Sequence, residues 1–99
     1  MIHVLAIITA KPGMRDVVLE ALRANMPSVR AEPGCVEYGP AIDTETSPTK
    51  FGPDSFVVIE KWASPEALRA HAASPHMALY GAKTRDMIAG RVIHILSPA

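Results

Sequence analysis

Residues 55–80, SFVVIEKWASPEALRAHAASPHMALY, decide how the rest of the chain is read. Phe56, Val57, Val58 and Ile59 are aromatic or β-branched and predict a strand, with Phe56, Val58, Glu60 and Trp62 on one face and Val57, Ile59 and Lys61 on the other. A carboxylate and an indole are thereby set side by side. Two Ser-Pro pairs follow the strand. Ser64 is suited to accept hydrogen bonds from the free N–H groups of a first helical turn, Pro65 loses no useful donor there, and Glu66 suits the positive helix end. Ser74 and Pro75 repeat the pattern. Two short helices are therefore predicted, with His71 and His76 on either side of the break, so that Glu60, Trp62, His71 and His76 gather in one short stretch.

Upstream, residues 2–10 (IHVLAIITA) read as a strand that is apolar on both faces: Ile2, Val4, Ala6 and Ile8 on one, Leu5 and Ile7 with His3 and Thr9 on the other. A strand buried on both sides belongs in the middle of a sheet. Lys11, Pro12 and Gly13 end it. From Met14 the period changes, and Met14, Val17, Val18, Ala21, Leu22, Met26 and Val29 recur at helical spacing. One amphipathic helix running to about Ala31, kinked at Pro27, is predicted, and Glu32, Pro33 and Gly34 terminate it. Residues 35–43 form a second strand with Val36, Tyr38 and Ile42 on one face, and Gly39 and Pro40 suggest a bend or an edge. The polar, turn-rich residues 43–54 (DTETSPTKFGPD) read as a long hairpin loop, with Phe51 as an aromatic that has nowhere obvious to pack. Downstream, residues 76–89 read as the last helix, capped by Gly90, and residues 91–97 as a closing strand.

The order strand, helix, strand, strand, helix, strand is the α+β, ferredoxin-like βαββαβ plan, an antiparallel sheet with its helices on one face and a single domain spanning residues 1–99. The strands are apolar on both faces, so the second sheet face needs a cover. A second copy of the chain is the simplest one, which makes a homodimer the expectation.

Composition narrows the function. Of 99 residues, 48% are apolar and 20% charged, as in an ordinary globular chain. Ten basic residues balance ten acidic ones with no basic block, so the electrostatic footprint of a nucleic-acid binder is missing. The first apolar run is too short to span a bilayer and lacks both a basic start and a small-residue cleavage site, so neither membrane insertion nor export is expected. A single cysteine, Cys35, excludes an internal disulfide, fits the cytoplasm, and reads as a small buried hydrophobe.

Several pieces carry a family resemblance: the PGC segment at 33–35, the PDS that opens the third strand at 53–55, the run IEKW, ALRAH and SPHM between 59 and 77, and the ILSP ending. With these the chain resembles the antibiotic biosynthesis monooxygenase domain family over nearly its whole length, and within it the quinol monooxygenase branch. The resemblance implies ferredoxin-like subunits whose sheets pack face to face as a dimeric α/β barrel, with a pocket between sheet and helices. It also implies oxygenation of an aromatic substrate by dioxygen without flavin, metal or haem. No Gly-rich phosphate loop, haem-attachment motif or ligand cluster of usual spacing stands against that. His71 and His76, five apart across a helix break, lack the i, i+4 spacing that sets two imidazoles on one helix face, so no metal site is expected.

Such chemistry needs an apolar pocket for a flat ring, a general base and a group to hold the oxyanion. The candidates are His71 as base, with His76 or Tyr80 as its hydrogen-bonding partner, and Trp62, Tyr38 and Met77 as ring contacts. Glu60, on the Trp62 face, is expected to pair with a cation such as Arg91. The anthrone-oxidising branch carries an Asn and a Tyr where this chain has Val58 and Leu68, and the haem-degrading branch an Asn and a His where it has Ile7 and Gly81. The PHM and PDS pieces, with the long hairpin loop, favour the quinol branch, so the resemblance implies a quinol or related phenol as substrate. The competing class is a non-oxygenase dimer that binds or modifies a small apolar metabolite, which fold alone does not separate from an enzyme.

Overall fold

A computed structural model describes all 99 residues. Its elements are β1 (Ile2–Ala10), α1 (Arg15–Arg30), β2 (Cys35–Ala41), β3 (Ser55–Trp62), α2 (Pro65–Ala72), α3 (Pro75–Thr84) and β4 (Ile88–Leu96), with a short 3₁₀ turn at Arg85–Met87 between α3 and β4. The four strands form one antiparallel sheet in the order β2-β3-β1-β4. This is the ferredoxin-like α+β arrangement, and β1, apolar on both faces, lies inside it as its pattern requires.

The core forms where one sheet face meets α1. Val4, Ala6 and Ile8 of β1 and Phe56, Val58 and Trp62 of β3 pack with Val18, Leu22 and Val29 of the helix, all in one buried cluster. Burying each large apolar side chain is worth roughly 1.5–3 kcal/mol, so this cluster dominates the stability of the fold. Pro27 lies inside α1, and the apolar phase continues past it to the fully buried Val29. The other sheet face, carrying Leu5, Ile7, Val57, Ile59 and Val92, has no helix over it. Ile59 and Val92 stand exposed there.

Four local expectations change. In β2 the register shifts between Cys35 and Glu37, so Cys35 pairs with Trp62 and Tyr38 with Glu60. The extra residue of this bulge throws Val36 outward, 54% exposed, while Tyr38 is buried, and Ile42 falls beyond the strand. Near the end of the chain the helix stops at Thr84 rather than Ala89. Thr84 Oγ1 donates to the Tyr80 carbonyl at 2.9 Å, and Lys11 N donates to Met87 O at 2.8 Å, drawing the backbone into a strand. Gly90 therefore lies in β4 opposite Thr9 and caps nothing. Ser64 caps α2 through Ala67 N as expected, but Ser74 does not cap α3. Its hydroxyl instead donates back to the His71 carbonyl at 2.8 Å, tying the start of α3 to the end of α2.

The 43–54 loop is closed by its own side chains. Asp43 accepts from Phe51 N and Gly52 N at 3.1 and 2.9 Å, which holds its carboxyl below the usual carboxylate range. Lys50 Nζ donates to the Thr44 and Glu45 carbonyls. Phe51 stays exposed at 57%. No helix of the chain is long and apolar enough to cross a membrane.

Candidate active site

The site is built from the turn between α1 and β2, the end of β3, and the two short helices. The turn residue Gly34 has φ +83, and a Cβ placed there would sit 2.6 Å from Ala67 Cβ at the start of α2. Only glycine permits both the backbone conformation and the approach. The Gly34 carbonyl accepts from Ala63 N at 2.8 Å, fixing the turn against the helix start.

That contact delivers a residue the sequence suggested only as a helix terminator. Glu32 receives His71 Nδ1 on one carboxylate oxygen at 2.7 Å and His76 Nε2 on the other at 2.9 Å, with its side chain only 15% exposed. A carboxylate only accepts, so both facing ring nitrogens carry protons. In the neutral ring this leaves Nε2 as the basic nitrogen of His71. Glu32, and neither His76 nor Tyr80, is thus the hydrogen-bonding partner of His71. An acidic residue beside a Pro-Gly turn was the only available signal, and the pairing spans 39 positions to His71.

His71 is buried, its ring tilted over Trp62 at a centroid distance of 4.6 Å and edge-on to Tyr38 at 5.6 Å. Trp62 is fully buried and donates Nε1–H to Glu60 at 3.0 Å. This indole, not Arg91, satisfies Glu60. Along β1, Glu60 lies opposite Val4 and Arg91 opposite Ile8, which separates the two groups along the sheet. Burial raises the Glu60 carboxyl above its ordinary range, and the Trp62 N–H and the His71 charge offset only part of that.

An open-sided cavity of about 730 Å³ lies between the sheet and the α2–α3 pair. Tyr38, Glu60, His71, Met77 and Tyr80 line it together with apolar side chains such as Val4, Ala6, Val58 and Leu68. Five of the seven expected site residues therefore share one cavity. The other two stand behind its wall: Trp62 backs His71 and Glu60, and His76 backs Glu32. Burial raises both the Tyr38 and Tyr80 phenols, so each keeps its proton and has it available to donate. Met77 Sδ accepts from Asn25 Nδ2 at 3.4 Å, anchoring α3 to α1. The Cys35 thiol is pushed up, first by burial and then by the Glu32 charge, which suits a packing residue rather than a nucleophile. No three His, Cys, Asp or Glu side chains form a metal-holding group. The arrangement is an oriented imidazole, a buried carboxyl and two phenol donors facing an apolar space.

Comparison with known proteins gives the family of the chain. The chain is 35% identical over 102 residues to the probable quinol monooxygenase YgiN of Escherichia coli K12, covering 99% of this chain and 98% of that protein. Its fold matches that of PA3566 from Pseudomonas aeruginosa with TM-score 0.83 and 28% identity, covering 99% of this chain and 93% of that one. Rv0793 from Mycobacterium tuberculosis matches with TM-score 0.82 and 25% identity, covering 99% and 94%. The family model described as antibiotic biosynthesis monooxygenase matches residues 1–83, and the chain belongs to that family.

Proposed function

We propose that this chain is a cofactor-independent monooxygenase that oxidises a quinol or related phenol with dioxygen, working as a cytoplasmic homodimer of single-domain subunits. The observation that carries the reading is the Glu32–His71 pair at the wall of an apolar cavity. The likeness to a probable quinol monooxygenase supports the substrate class.

In this reading the flat ring enters between the sheet and α3, against Met77 and the aliphatic wall. A phenolic proton passes to His71 Nε2, and the Glu32 carboxylate stabilises the imidazolium that forms. Tyr38 or Tyr80 donates to the resulting oxyanion. The electron-rich anion passes one electron to dioxygen, and the two radicals recombine at a ring carbon. One oxygen atom enters the ring and the other leaves as water, so hydroquinone and dioxygen give hydroxyquinone and water. Trp62 and His76 position Glu60, His71 and Glu32 without touching substrate.

The uncovered sheet face supports the homodimer. Leu5, Ile7, Val57, Ile59 and Val92 make an apolar surface that a second copy of the same face buries.

The test is oxygen uptake by metal-stripped protein given reduced naphthoquinols and benzoquinols, with His71→Ala alongside. Uptake above autoxidation that is lost in the variant is the expected result. No excess uptake with any quinol would overturn the oxygenase and leave a binding module.

A further inference from the structure

The charges of the cavity are segregated. Its one carboxylate, Glu60, lies opposite Val4 of β1, near His71 and Tyr38. At the other end the cavity is lined by Arg91, opposite Ile8 on the helix-bearing face of the edge strand β4, and by Arg85 of the 3₁₀ turn. Neither guanidinium has an acidic partner. The carboxylates in ion pairs are Glu37, Glu66 and Glu32, and these are held by Lys61, Arg69 and the two histidines. Four residues along β1 and two strand spacings across the sheet separate the Cα atoms of Glu60 and Arg91 by roughly 16 Å on regular strand geometry. A fused aromatic ring with one polar substituent at each end spans that gap once the side chains are counted. Tyr80 lines the same cavity.

We propose that the cavity selects a phenolic or hydroquinone substrate bearing an anionic substituent, its hydroxyl at His71 and its carboxylate or sulfonate held by Arg85 and Arg91. This rests on the quinol-oxidising reading of the site and narrows its substrate class. Arg85 and Arg91 are exposed at the rim of the cavity, so a neutral ring leaves both hydrated and gains nothing from them. An anion gains charge-assisted, planar hydrogen bonds from them.

The experiment is calorimetric binding of two redox-inert probes: a naphthol, and the same naphthol with a sulfonate on the ring carbon opposite the hydroxyl. The unmodified protein should bind the sulfonate about tenfold more tightly or better, as charge-assisted contacts generally provide. The preference should fall below about twofold in the Arg85→Gln, Arg91→Gln double variant and should shrink in the unmodified protein as salt is raised, since exposed charges are screened. The salt titration needs no variant, so misfolding does not blunt the test. Equal affinity for the two probes, binding of neither, or a preference that survives both substitutions would overturn the proposal. The two readings separate cleanly. Sulfonate-selective binding without oxygen uptake from any hydroquinone sinks the oxygenase alone, whereas uptake at equal kcat/KM from neutral and sulfonated hydroquinones sinks the anion preference alone.

Discussion

Replacing Glu32 by glutamine changes one oxygen to an amide and tests the centre of the proposed site. The carboxylate satisfies two N–H donors, His71 Nδ1 at 2.7 Å and His76 Nε2 at 2.9 Å. An amide has one acceptor oxygen, so one histidine must face an NH₂ group and change tautomer. If His76 changes, its proton moves to Nδ1, which is buried without a partner, and an unsatisfied buried donor costs about 1–3 kcal/mol. If His71 changes, the proton moves to Nε2 and the basic nitrogen is lost. The first outcome lowers Tm by roughly 4–24 °C, at about 4–8 °C per kcal/mol for a domain of this size. The second leaves Tm closer to the parent and removes the base, a step worth about 10²–10⁴ in kcat. Melting by circular dichroism and oxygen uptake on the same preparation distinguish the two outcomes. A Glu32→Gln protein that melts with the parent and turns over quinol at the parental kcat would refute both the shared carboxylate and its orienting role.

Gly34→Ala should cost more than Gly13→Ala: both glycines have positive φ, +83 and +78, but a Cβ meets Ala67 at 2.6 Å only at Gly34. Strain of the backbone alone is about 1–3 kcal/mol, so equal urea midpoints for the two variants would show that the Ala67 contact yields freely. Glu60→Gln keeps an acceptor for Trp62 Nε1 and removes the titration. Burial raises the Glu60 carboxyl, so its contribution to stability is full below the unfolded pKa and is lost as pH rises through the folded one. The variant should therefore gain Tm relative to the parent at pH 8 and lose that gain in acid; a pH-independent difference would contradict the assigned burial. Ile59→Glu, on the uncovered sheet face, should shift sedimentation from dimer to monomer while the melting signal remains cooperative, and a monomeric parent would remove the dimer outright.

The fold was legible because its signals are local. Alternation in β3, double-sided apolarity in β1, helical spacing from Met14 and the Ser-Pro breaks each act over a few residues and agree with one plan. The departures arise where a long-range contact outweighs a local one. Gly90 looks like a cap until pairing with Thr9 makes it a strand residue, and Val36 looks cofacial with Tyr38 until the bulge opposite Trp62 inserts one residue. Most of the candidate site was legible for the same reason, since His71, Met77 and Tyr80 lie on two consecutive short helices beside Glu60. Glu32 was not, because nothing local distinguishes it from an acidic helix terminus.

The position of Glu32 ties assembly of the site to the α1–β2 turn. Gly34 sets the approach to Ala67, and two residues earlier the same turn presents the carboxylate that fixes both histidines. A substitution that moves the turn should thus reduce stability and turnover together, whereas one confined to the carboxylate has two separable outcomes. Gly34→Ala and Glu32→Gln form a pair for that reason. If oxygen uptake falls in Gly34→Ala only in proportion to the unfolded fraction, while Glu32→Gln loses kcat at full folding, then the turn acts through stability alone and the chemistry resides in the carboxylate–imidazole pair. If instead Gly34→Ala loses kcat while fully folded and Glu32→Gln does not, the base lies elsewhere in the cavity, and Glu60, the one carboxylate lining it, becomes the group to test.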